Sequence, residues 1–112
     1  MAGFGSRFTK SGYKIFKPFL NLENKDTMID SICKNFPSNT RKYFIVNNLV
    51  QKKYLNKLKK IKNSKIIKIS AHKSGPVETI IRANSELRNL ENIFVSYCDI
   101  TWKWNFKKIK FT

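Results

Sequence analysis

An α/β fold, with a mostly parallel sheet and helices packed on its faces, is predicted by three observations. Short apolar runs rich in β-branched and aromatic residues recur at 43–46, 65–70 and 92–97. Between them lie segments whose apolar residues fall at helical spacing. The joining loops are short, the pattern of strand–helix–strand units. At 112 residues the chain reads as one domain, long enough to bury a core with little stability to spare.

Each element has its own justification. Residues 1–17 (MAGFGSRFTKSGYKIFK) are rich in Gly, Ser and basic side chains without sustained periodicity, and read as a loop. Residues 18–22 (PFLNL) read as a short extended piece, and residues 23–26 supply turn formers. A helix follows, capped by Thr27 or Asp26, with Met28, Ile29, Ile32, Cys33 and Phe36 on one face. Pro37, Ser38 and Asn39 end it. Residues 43–46 (YFIV) read as a strand covered on both faces. The second helix carries Val50, Tyr54, Leu55, Leu58 and Ile61 on its apolar side and Lys52, Lys53, Lys57, Lys59 and Lys60 opposite. Residues 65–70 (KIIKIS) form the second strand. After a loop over 71–75, a third helix sets Val77, Ile80, Ile81 and Leu87 at helical offsets, with Glu78 near its positive amino end. Residues 92–97 (NIFVSY) read as a third strand, with Cys98 and Asp99 at its carboxyl end. In such sheets ligands bind beyond the carboxyl ends of the strands, so Asp99 stands where chemistry is expected.

The formal net charge is +16, from 23 Lys and Arg against 7 Asp and Glu. Lys and Arg on phosphates release counterions, which makes nucleic-acid binding one reading. Lysine is spread from Lys10 to Lys110, however, and Asn and Ile are abundant too, as in A+T-rich coding sequences. The compositional reading is preferred, and the Lys-rich side of the second helix is read as a solvated face. Cys33 and Cys98 form neither a CxxC pair nor a disulfide framework, and read as small buried thiols in a reducing, cytoplasmic setting. No secretory leader is expected, and no apolar run is long enough for a membrane span. His72, the lone histidine, reads as a solvated loop residue. Trp102 and Trp104 read as packing residues rather than a base-stacking platform.

The most informative stretch is Gly3-Phe4-Gly5-Ser6-Arg7. Closely spaced glycines let backbone N–H groups approach phosphate oxygens, and Arg7 adds a planar charge that can grip a phosphate at two points. Ten residues beyond Arg7 stands Lys17, directly before Pro18. Residues 2–32 (AGFGSRFTKSGYKIFKPFLNLENKDTMIDSI) resemble the signature of the sugar-phosphate nucleotidyltransferases: a G-x-G-[ST]-R loop, a P-K-P segment, and a helix starting near K-P-M-I. The likeness continues through residues 74–79 (SGPVET), similar to the family's helix start beside the nucleotide base. It extends to residues 95–104 (VSYCDITWKW), similar to a strand ending in a metal-binding Asp with a Trp five residues on.

The resemblance implies a three-layer, Rossmann-like fold and transfer of a nucleoside monophosphate from a nucleoside triphosphate to a sugar-1-phosphate, with release of pyrophosphate. It implies that Gly3, Phe4, Gly5 and Ser6 surround the triphosphate and that Arg7 contacts the leaving pyrophosphate. Lys17 would neutralise charge growing on the phosphoryl groups, Gly75 would lie against the base, and Asp99 would hold Mg²⁺. Positioned cations are the main means of stabilising such a transition state, so the physics agrees. The sequence departs from the family at Phe16, where Pro is usual, and at Asn105, where Asp is frequent. Residues 1–112 would then be one partial domain, its nucleotide-binding half, lacking the family's first strand and its second half. A second chain supplying that half is an expected partner, and nucleic acid is not.

Overall fold

Parallel pairing of two short strands organises the chain. The computed structural model describes residues 17–23, 25–98, 100 and 102–110. The first described element is a single 3-10 turn over Lys17–Phe19, where a short extended piece is expected. Past it, Asn21 bridges to Thr27, and the Leu22 N–H donates to the Asp26 carbonyl at 2.7 Å, closing a tight loop.

Helix α1, Met28–Cys33, starts at Thr27 with a reciprocal cap. The Asp30 N–H donates to Thr27 Oγ1 at 3.2 Å, and the Thr27 N–H donates to Asp30 Oδ2 at 3.3 Å. Two of the amide donors that a helix start leaves unpaired are thereby satisfied, so a six-residue helix holds its first turn. Strand β1, Lys42–Asn47, follows, then helix α2, Lys52–Lys59, then strand β2, Ser64–Ile69. The strands run parallel, with Phe44 opposite Ile66 and Ile45 opposite Ile67. The turn into β2 places Asn63 at φ 58°, a left-handed backbone that Asn tolerates better than most residues. Its carbonyl accepts the Lys42 N–H at 2.8 Å and so fixes the strand register. Helices α3, Gly75–Arg82, and α4, Asn84–Leu87, follow, and a second 3-10 turn spans Phe106–Lys108. The chain is a mixed α/β protein.

Alternation along the strands sorts the core onto two faces. On one face, Phe44 and Val46 of β1 join Ile29 of α1 and Leu55 and Leu58 of α2, with Ile66 packed against them. On the other, Ile67 and Ile69 of β2 meet Ala83 and Leu87, with Tyr43, Ile45 and Ile80 alongside. The strand at 43–46 is thus covered on both faces as its composition predicts. Leu58 and Val46 are fully buried. The lysines of α2 also cover apolar surface: Phe19 and Tyr54 stack at 5.6 Å, and the Lys57 ammonium lies 5.4 Å from the Phe19 ring centre.

Beyond α4 the structure departs from expectation. Residues 92–97 are assigned to no strand and make no backbone–backbone hydrogen bond with any described residue. The apolar run is present, but its composition requires a neighbouring strand that β1 and β2 do not provide. The chain instead folds back onto the end of α1. Phe36 lies at the centre of an aromatic cluster with Phe94, Trp102, Trp104 and Phe106, ring centres 5.4–6.0 Å from its own. Asn35 fastens the cluster: its side-chain amide donates to the Trp102 carbonyl at 2.6 Å, and its carbonyl accepts the Trp104 indole N–H at 2.7 Å. Both tryptophans are packing residues, as expected.

Candidate functional site at the carboxyl ends of the strands

A parallel β1–α2–β2 unit brings the carboxyl ends of both strands to one side of the sheet, where the loops after each strand meet. After β1, Asn47 is buried and its side-chain oxygen accepts the Leu49 N–H at 2.9 Å, turning the chain sharply. The neighbouring Asn48 side chain accepts the Ala71 N–H at 3.1 Å and ties this turn to the loop that follows β2.

That second loop, residues 70–74, is held from several sides. His72 is buried, not solvated as its loop position suggests. Its Nδ1 accepts the Ser74 N–H at 3.1 Å, and its Nε2 lies 2.8 Å from Thr79 Oγ1. An Nδ1 that accepts carries no proton, so Nε2 holds it and donates to the Thr79 hydroxyl. Arg82 reaches back from α3, its Nη1 donating to the Ser70 carbonyl at 3.3 Å and its Nε to Glu78 Oε1 at 2.9 Å.

Helix α3 begins where this loop ends. Ser74, its N-cap, makes no side-chain capping bond, and Pro76 follows in the first turn. Ser74 gives the first-turn donors no side-chain cap, Pro76 has no N–H to offer, and the Glu78 carboxylate lies in the same turn. Gly75 adopts φ 86°, a left-handed conformation that favours glycine, and a Cβ built there would meet nothing within 4 Å. The glycine is therefore required by the backbone, and the space above it is open.

Of the residues the resemblance assigns to the site, Gly75 is the one described in full, at the start of α3. Gly3, Phe4, Gly5, Ser6, Arg7 and Asp99 lie outside the described residues. Lys17 is described through its backbone, as the first residue of the 3-10 turn. Cys98, adjacent to Asp99, packs against the α2 face of the core, as does Cys33. Burial pushes the Cys33 thiol above its ordinary range, with Lys42 opposing and Asp30 reinforcing the shift. Among the described residues no three His, Cys, Asp or Glu side chains gather as a metal site, so the Mg²⁺ expectation depends on Asp99. Asn47, Asn48, His72 and Thr79 were not foreseen. A hint lay in polar residues placed directly after apolar strands, at Asn47-Asn48 and at His72.

An open depression of about 360 Å³ lies at the opposite end of the sheet, lined by Asn39, Arg41, Tyr43, Asn63, Ser64 and Lys65. It sits at the amino ends of the strands, away from the crevice that parallel topology favours, and Lys65 there is engaged by Glu86 at 2.8 Å. No helix among the described residues is long and apolar enough to cross a membrane. No family model, no curated protein and no solved structure matches the chain.

Proposed function

We propose that the chain binds a nucleoside triphosphate as the nucleotide-binding part of a cytoplasmic sugar-phosphate nucleotidyltransferase, on a three-layer, Rossmann-like sheet to which further strands belong. The observation that carries the reading is the start of α3: an uncapped helix beginning at a left-handed Gly75, beneath open space, at the carboxyl end of β2. A flat base can lie against a residue with no side chain. The Asn47–Asn48 turn lies at the same end of the sheet, tied by Asn48 to Ala71 in the loop that leads to α3.

In this reading a sugar-1-phosphate oxygen attacks the α-phosphate in line and pyrophosphate leaves. Gly3, Phe4, Gly5 and Ser6 wrap the triphosphate, Arg7 holds the departing pyrophosphate, and Lys17 offsets charge building on the phosphoryl oxygens. Mg²⁺, when bound, supplies further positive charge to those oxygens, and Asp99 is the residue that would hold it. A second chain contributes the sugar pocket.

The test is a titration of the full chain with labelled nucleoside triphosphates, with and without Mg²⁺, beside a pyrophosphate-release assay containing a sugar-1-phosphate. Gly75→Asn, the side chain that a left-handed backbone resists least, fills the open space and is expected to weaken binding about tenfold, or ~1.4 kcal/mol, with circular dichroism checking that the fold withstands the added strain. Saturable binding without release marks a partner-dependent half-enzyme. Absence of saturable binding to all the common nucleoside triphosphates overturns the reading.

A further inference from the structure

The segments that enter the two strands converge at the amino end of the sheet. Tyr43 stands opposite Lys65 in the parallel register, and Arg41 and Asn63 precede them by two positions each. All four line the depression of about 360 Å³ at this end, with Asn39 and Ser64 beside them. Its rim is laced from both sides. The Lys42 ammonium donates to the Thr40 carbonyl at 2.9 Å and to the Lys62 carbonyl at 3.2 Å, and the Asn63 side-chain amide donates to the Ser38 carbonyl at 3.3 Å. Tyr43 packs against the Ile67–Leu87 side of the core, which roots its ring.

Charge in this depression is unevenly matched. Lys65 donates to Glu86 Oε2 at 2.8 Å. Among the described residues nothing pairs with the Arg41 guanidinium, the Tyr43 hydroxyl or the Asn39 side chain. The hydrogen bond to Glu86 is the main cause that lifts the Lys65 ammonium above its ordinary pKa, while the positive Arg41 works against the rise. Two cations thus repel across one depression, and one carboxylate offsets only one of them.

We propose that this depression binds a small phosphate monoester, with its phosphate held between Arg41 and Lys65. The site lies at the far end of the sheet from Gly75 and does not rest on the nucleotide reading. A guanidinium grips two phosphate oxygens at once, and an ammonium supplies a point charge for a third. Donors that arrive from both strands suit a tetrahedral group, whereas a planar carboxylate is already saturated by one guanidinium. The Tyr43 hydroxyl and the side chains of Asn39 and Asn63 are left for hydroxyl groups on the organic part. The space is that of a small-ligand cleft, roughly 300–1,000 Å³, and exceeds what a bare phosphate fills.

The test titrates the full, isotopically labelled chain with glycerol phosphate and, separately, with inorganic phosphate, at constant ionic strength. Saturable shifts are expected at the Arg41 side chain and at the amides of Asn63, Ser64 and Lys65, with inorganic phosphate about fivefold weaker. Arg41→Gln is expected to weaken binding of glycerol phosphate about tenfold, and Glu86→Gln, which frees Lys65, to tighten it about threefold. Lys59→Gln removes the same charge from the exposed side of α2 and is expected to leave the affinity unchanged. Unshifted β2 amides in each free variant show that the fold is kept. Shifts that fail to saturate, or that fall equally on the α2 lysines, mean counterions gathering on a chain of charge +16 and overturn the proposal. Equal loss in Arg41→Gln and Lys59→Gln overturns it too, as does glycerol phosphate binding no tighter than inorganic phosphate.

Discussion

His72 shows how one side chain can set the shape of a loop. Both ring nitrogens are occupied, one by the Ser74 N–H and one by the Thr79 hydroxyl, so the imidazole braces the turn that leads into α3. His72→Ala leaves those partners unmatched and is expected to cost about 1–3 kcal/mol in urea unfolding. His72→Asn, whose side-chain oxygen can replace Nδ1 toward Ser74, is expected to recover part of that loss. Cys33 offers a pH readout. Because burial raises its pKa in the fold, the folded state disfavours the thiolate. Stability is therefore full at neutral pH and falls as the pH climbs through the thiol range toward the raised value. Comparing the alkaline decline in stability of the wild type with that of Cys33→Ala checks the sign: the variant is expected to lose less.

Among the elements, α2 binds the fold most firmly. Leu58 has no exposed surface and packs with Val46, Phe44 and Leu55. Leu58→Ala is expected to cost about 2–5 kcal/mol in thermal or urea unfolding, because the surrounding core fills the cavity only partly. Lys59→Ala on the exposed side is expected to stay within about 0.5 kcal/mol. The same periodicity made α2 readable from sequence, since Tyr54, Leu55 and Leu58 recur at helical spacing and all three are buried. The α1 cap was readable as far as Thr27 or Asp26; the structure selects Thr27, and its reciprocal bond with Asp30 was not legible. Residues 92–97 were misread for the opposite reason. Strand formation there needs an adjacent edge, and local composition carries no information about whether one exists. His72 was misread likewise, because burial came from Thr79, seven residues away on the next helix. Of the candidate site, the helix start near Gly75 was legible in the sequence. The Asn48–Ala71 tie, which spans 23 residues, was not.

For the molecule as a whole, the charge of +16 governs encounters more than architecture. Lysines on α2 are solvent-facing, and two of them lie over aromatic rings, where their stems cover apolar surface. Duplex DNA is therefore expected to bind weakly and without sequence preference. In filter or anisotropy titrations its affinity should fall linearly on a log–log plot against salt and stay at the non-specific level, about 10⁻⁴–10⁻⁶ M near physiological salt. A tight, salt-resistant complex would point instead to a built nucleic-acid surface.

The knot that Asn35 ties around the aromatic rings has an optical consequence. The protein has two tryptophans, and both sit in that knot, 4.6 Å apart and joined to a residue nearly seventy positions earlier. Indole emission will thus watch that one corner of the molecule and be almost blind to the parallel sheet. Where fluorescence and far-ultraviolet dichroism melt at different denaturant concentrations, the tail has let go before the sheet, and a two-state fit to the emission signal would misstate the stability of the fold.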